Sequence, residues 1–179
     1  MSALKWLCVF LIAVYGLCSA LQAQQGTPSA SLPVTHTKTL SGKAITVPVS
    51  DHAQTFLVVG FSHASAASVK AWWLQAADLC KSHPAVVCFE AAVIQDAPSF
   101  VRGMITSGMK HDMPAEVQET FLTVVENEPA LKQVFGFSAP DDGYLGIFDK
   151  SGKLLWRMSG GEKAANSADI AKGFDTIPR

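Results

Sequence analysis

Thr55 to Ser82 reads T-F-L-V-V-G-F, then S-H-A-S-A-A-S, then V-K-A-W-W-L-Q-A-A-D-L-C-K-S. The apolar run Phe56 to Phe61 is short and β-branched and is bounded by Gly60 and serines, the composition of a strand buried on both faces of a parallel sheet. After Ser65 the period changes. Val69, Trp72, Trp73, Ala76, Leu79 and Cys80 fall on one side of a 3.6-residue helix, with Lys70, Gln75 and Lys81 largely opposite. The stretch therefore predicts a buried strand, a tight turn of small residues and a long helix. A strand leading straight into a helix N-terminus is a common seat of chemistry in α/β proteins.

Two kinds of nucleophile suit that turn. A dithiol site would place Cys-x-x-Cys at the helix start, where the dipole favours the thiolate. The chain has Ser65-Ala66-Ala67-Ser68 there and no cysteine between Cys18 and Cys80. A hydroxyl cannot cycle through a disulfide, so dithiol exchange at the turn is excluded. Ser65 is expected to be the helix N-cap, accepting a bond from a first-turn N–H. The second nucleophile is Ser62. Gly60-Phe61-Ser62-His63-Ala64 approaches G-x-S-x-G, with alanine in place of the last glycine. A triad would need an acid and then a histidine downstream; the last histidine is His111, and no such pairing is apparent. A serine hydrolase ranks well below a structural turn.

The 179 residues are 49% hydrophobic and 16% charged, which fits a single globular domain. Residues 1–23 stand apart: Lys5, an apolar run, then small residues ending at Ala23, the pattern of a secretory signal peptide. The run also approaches the length of a membrane anchor. Export is expected, periplasmic or extracellular, with cleavage ranked ahead of retention as an anchor. Loss of this segment removes Lys5 and no acid, taking the net charge from −1 to −2. That charge gives no footprint for nucleic acid. Cys8 and Cys18 leave with the signal, so Cys80 and Cys88 remain. Either they form a disulfide in an oxidising compartment, or they are two buried thiols acting as small apolar residues.

Residues 24–35 read as a linker, and 36–179 as the domain. K-T-L-S-G-K-A-I-T-V predicts a hairpin turning at Ser41-Gly42, and Ala85 to Ile94 a second apolar strand, parallel to the first. Ser99 is expected to cap a short helix through Met104 and Ile105. Ala115 to Glu126 carries Val117, Phe121, Val124 and Val125 at helical spacing, and Pro129 to Phe135 restarts a helix that Gly136 caps. The whole of 98–137 is thus read as helical. Y-L-G-I-F-D, K-S-G and K-L-L-W-R-M-S form a second hairpin turning at Gly152, and Ala164 to Phe174 a closing helix.

This order resembles the thioredoxin-like fold in its redoxin variant: an α/β domain with a mixed central sheet, an N-terminal β-hairpin, helices on both faces and a helical insertion before the last hairpin. T-L-S-G-K-A-I-T-V-P resembles the redoxin opening hairpin, F-L-V-V-G-F-S the strand that leads into Cys-x-x-Cys, and I-F-D-K-S-G-K-L-L-W-R the terminal hairpin. The exchange machinery does not match: Cys-x-x-Cys is absent, and Gly143 stands where a redoxin carries its cis-proline, with Pro140 three residues early. K-T-L-S-G, M-P-A-E, D-D-G-Y-L-G-I-F-D and L-W-R-M-S-G-G-E are also similar to the layout of the thioredoxin-like assembly factors of mitochondrial ATP synthase. That resemblance implies a scaffold that binds a protein and assists assembly.

His36, His52, His63, His83 and His111 are scattered, with no metal-ligand spacing, and nothing calls for a cofactor. Trp72 and Trp73 differ by ~100° on a helix, so one is expected inside and the other partly exposed. Tyr144 and Trp156 read as sheet residues. Two functions remain. The first is a non-catalytic module that contacts an unidentified protein partner through Ser62, His63, Ser65, Ser68, Asp141, Asp142 and Trp73. The second is an oxidoreductase using Cys80 or Cys88 as a single reactive thiol in peroxide or disulfide chemistry.

Overall fold

A computed structural model of the chain describes residues 30–177. The expected leader, residues 1–23, lies outside them, as do residues 24–29. The hairpin comes first: β1 (Thr35–Thr39) and β2 (Ala44–Val47) pair antiparallel. β3 (Gln54–Gly60) follows, with all seven residues buried. A short 3₁₀ turn, His63–Ser65, leads into α1 (Ala66–Ser82), and β4 (Val86–Val93) returns parallel to β3. Next come α2 (Ser99–Asp112), α3 (Ala115–Gln118), β5 (Phe121–Val124) and α4 (Glu128–Phe135). β6 (Gly143–Asp149) and β7 (Leu154–Gly160) form the second hairpin, and α5 (Ser167–Phe174) closes the chain. The seven strands make one mixed sheet in the order β2-β1-β5-β4-β3-β6-β7.

Strand alternation divides the core in two. Leu57 and Val59 of β3, with Phe89, Ala91 and Val93 of β4, face a cluster closed by Leu131, Val134 and Phe135 of α4. Phe56, Val58 and Val86 face the other way, under Val69, Trp72 and Ala76 of α1 and Ile170 and Phe174 of α5. Helices therefore cover both faces, and α1 is fixed over the middle of the sheet. Trp72 is completely buried and Trp73 half-buried at the flank of that cluster.

Three local expectations are corrected. Ala115 to Glu126 is not one helix: it stops at Gln118, and Phe121–Val124 forms β5, hydrogen-bonded between β4 and β1. Val117, Phe121 and Val124 suit a helix, but Phe-Leu-Thr-Val suits a strand equally. Leu122 and Val124 reach the core by alternation once the slot between β1 and β4 is available. The helix after Pro98 is longer than expected, running through Gly108 to Asp112. It is tethered rather than packed. Arg102 donates to the carbonyls of Ala97 (2.8 Å) and Gln95 (2.6 Å), while no residue of α2 is buried. Ser99 does not cap it; Pro98 holds the N-cap position.

The expected linker reaches the fold before residue 36. Leu32 is buried, its N–H donates to Gly152 O, and Thr35 already belongs to β1. Gly152 (φ +85°) closes the β6–β7 turn, and Gly136 (φ +68°) ends α4 in the left-handed conformation that favours glycine.

Candidate functional site

β3 and β4 are parallel, with Gly60 opposite Ala92, so their C-terminal ends open at the same end of the sheet. The S-H-A-S-A-A-S corner sits there. It is built on close approach: a Cβ on Gly60 would stand 2.5 Å from Ser65 Oγ and 3.0 Å from Val69 Cγ2. Only glycine lets the helix start lie against the strand end.

The serines of the corner are donors to backbone. Ser65, 1% exposed, donates through Oγ to Ser62 O at 2.8 Å. It holds the N-cap position as expected but makes no capping bond: its backbone is helical (φ −77°, ψ −6°), and the hydroxyl turns back onto the preceding 3₁₀ turn. Ser62 Oγ donates to Pro140 O at 2.5 Å, and Ser68 Oγ to Asp141 O at 2.7 Å. Trp72 Nε1 donates to Gly160 O at 2.9 Å. The corner is thus laced to the S-A-P-D-D-G loop and to the end of β7. Tyr144 Oη fixes that loop from beneath, accepting from Ser138 and Ala139 N–H (2.9 and 2.8 Å) and donating to Ala139 O (2.7 Å). Tyr144 also packs edge-on to Phe61, the residue before Ser62.

Gly143, at the start of β6, is there for space. A Cβ would meet Trp72 Cδ1 at 2.8 Å and the Ser68 carbonyl carbon at 3.3 Å. The cis peptide among the described residues is Val47–Pro48, after β2. His63 and Asp141 stand exposed on the corner, and Asp142 is half-buried, its Oδ1 3.7 Å from where a Cβ on Gly161 would lie. The structure thus gathers Ser62, His63, Ser65, Ser68, Asp141 and Asp142 at one corner. Trp73 is separate, about 12 Å along the helix axis from Ser65 at 1.5 Å per residue.

This geometry does not serve the two enzymatic readings. Ser62 Oγ gives its proton to a carbonyl, and no histidine or carboxylate hydrogen-bonds it; a hydrolase nucleophile needs a base in that position. Cys80 and Cys88 are bonded to each other, with Cα atoms 6.2 Å apart, tying the last turn of α1 to β4. A single free thiol is therefore not available among the described residues. The pair also lies about 22 Å along the helix from Ser65 at 1.5 Å per residue. A helix C-terminus disfavours a thiolate at Cys80. Among the described residues, no three His, Cys, Asp or Glu side chains gather as a metal site.

Two features escaped the sequence reading. Glu90 is 7% exposed, and burial pushes its carboxyl up to about 7, with Lys70 on α1 pulling it partly back. Its sequence signal was a lone acid inside V-V-C-F-E-A-A-V-I. On the opposite face, Glu128 is buried and pairs with Lys132 at 2.6 Å. That hydrogen bond holds the ammonium above its usual value, and the ammonium lies 4.9 Å from the Phe137 ring centre.

No protein-family model matches the chain, and no curated protein matches its sequence. Solved structures do match. The pneumococcal exposed lipoprotein thioredoxin Etrx1 of Streptococcus pneumoniae aligns at TM-score 0.59 and 12% identity, over 80% of this chain and 99% of its own. A putative thiol:disulfide interchange protein DsbE of Chlorobium tepidum gives 0.55 and 14%, over 84% and 97%. StoA of Bacillus subtilis gives 0.52 and 15%, over 82% and 99%. At these identities the likeness is one of fold. The chain has the thioredoxin-like fold, as the residue patterns implied. No helix among the described residues is long and apolar enough to cross a membrane.

Proposed function

We propose that this chain is a non-catalytic thioredoxin-like module that contacts a protein partner through the S-H-A-S corner and the neighbouring D-D-G loop. One observation carries the reading. Where the resemblance would put an exchange dithiol, at Ser65 and Ser68, the hydroxyls donate to the carbonyls of Ser62 and Asp141, and Ser62 beside them donates to the carbonyl of Pro140. The result is a rigid rim that presents His63 and Asp141 to solvent. A preformed surface loses little conformational entropy on binding. We read the resemblance of its sequence stretches to thioredoxin-like assembly factors as pointing to a role in chaperoning a complex. The Cys80–Cys88 bond supports export, since structural disulfides persist in oxidising compartments.

The test is a photo-crosslinking residue placed at His63 or Asp141 in the expressing cell, with Thr46 on β2 as the distant control. Discrete adducts from the two corner positions and none from Thr46 support the reading. Adducts from Thr46 alone, or from no position, reject it.

A further inference from the structure

The described residues hold four methionines, and three of them crowd one element: Met104 and Met109 lie on α2, and Met113 is its C-cap. The fourth, Met158 on β7, packs against the core cluster that α1 and α5 cover. α2 is also the helix that the fold holds least, since none of its residues is buried. At ~100° per residue, Phe100 and Met104 share one side, and Val101, Ile105 and Met109 share the other. Phe100 and Met104 are 76% and 71% exposed, whereas Val101, Ile105 and Met109 are half-buried, so the second side faces the domain.

Polar clamps hold both ends of α2. Arg102 grips the carbonyls of Ala97 and Gln95. At the other end Gln118 Nε2 donates to Lys110 O (2.9 Å) and Met113 O (2.8 Å). Between the clamps the half-buried stripe carries the helix, and Met109 and the half-buried Met113 are its C-terminal part. Each thioether is therefore partly open to solvent, and two of the three also serve as apolar contacts.

That combination has a chemical consequence. Cys80 and Cys88 are already bonded, so no free thiol among the described residues competes for an oxidant. With hydrogen peroxide, the sulfur lone pair attacks one peroxide oxygen, the O–O bond breaks, and a sulfoxide and water form. Sulfur gives up two electrons and the peroxide takes them. The new side chain is polar and ill suited to an apolar contact.

We propose that α2 is an oxidation site: peroxide-class oxidants convert Met104, Met109 and Met113 to sulfoxides, and sulfoxide at Met109 and Met113 releases the C-terminal half of α2. Met104, on the outer side, takes up oxygen without loosening the helix. The site is separate from the contact surface at the corner, and its test needs no partner.

Purified protein treated with hydrogen peroxide is read by peptide mass spectrometry and by trypsin. Sulfoxide is expected at Met104, Met109 and Met113 ahead of Met158. Lys110 is exposed on the half that is released, so trypsin cuts after it when the helix opens. Relative to the denatured chain, that cut is expected to speed up about tenfold on oxidation, as two half-buried side chains lose their contact. Cleavage after Arg157 on β7 is expected to stay unchanged, and methionine sulfoxide reductases to restore the original rate at Lys110. Met109→Leu/Met113→Leu keeps the stripe apolar and is expected to stay resistant although Met104 is oxidised. Met104→Leu is expected to respond as wild type does. Equal cleavage after Lys110 before and after oxidation overturns the proposal, as does Met158 reacting first. A double variant that still loosens, or a parallel rise after Arg157, overturns it too.

Discussion

Removing the Cys80–Cys88 bond gives the best-defined stability test. The two cysteines are eight positions apart and close a short loop between the last turn of α1 and β4. For a loop of that size the chain-entropy relation gives about 2.5 kcal/mol of stabilisation through the unfolded state. The double variant Cys80→Ser/Cys88→Ser is therefore expected to unfold at lower denaturant, by about 2.5 kcal/mol. For a domain of this size that is a fall in Tm of about 5–10 °C. Reductant should shift the wild type by the same amount and leave the double variant untouched. Urea unfolding followed by tryptophan fluorescence reads this directly, with Trp72 and Trp73 on the tethered helix. Equal stability of oxidised and reduced wild type would refute the reasoning. So would two titratable thiols in denatured, unreduced protein.

Three further outcomes are expected from the packing. Trp72→Ala removes a fully buried indole and its bond to Gly160 O, and should cost about 3–5 kcal/mol in denaturant unfolding. Gly143→Ala drives a methyl into Trp72 and the Ser68 backbone, and should cost about 1–3 kcal/mol, measured the same way. Lys132→Met leaves Glu128 buried without its cation, and should cost about 3 kcal/mol at neutral pH. Urea unfolding at neutral pH, wild type against variant, reads that loss.

What the sequence disclosed follows from the range of the interactions involved. β3, α1, β4 and the terminal hairpin are written in local period and turn chemistry, so Phe56 to Phe61, the Val69-Trp72-Ala76 stripe and Gly152 were enough to place them. β5 was hidden because four residues of Phe-Leu-Thr-Val suit either period. The choice was made by β1 and β4, distant in sequence, which leave a slot for a strand. The corner was legible in composition but not in wiring. Ser62 and Ser68 find acceptors 78 and 73 residues away, beyond any local pattern. Ser65 looked like a cap because capping is the local use of a serine at a helix start. Its hydroxyl instead closes the 3₁₀ turn before the helix. The burial of Glu90 is not legible locally, because burial of one strand residue depends on which elements lie above it. The pairing of Cys80 with Cys88 is open in the sequence for a similar reason: eight positions permit the bond, but only the return of β4 beside α1 brings the sulfurs together.

Everything functional here depends on the corner acting by contact, without electron transfer. Insulin reduction driven by dithiothreitol, with and without the purified protein, measures that most directly. The account predicts a rate no greater than dithiothreitol alone, the same for wild type and for Cys80→Ser/Cys88→Ser. A protein-dependent rate that disappears in the double variant would contradict it.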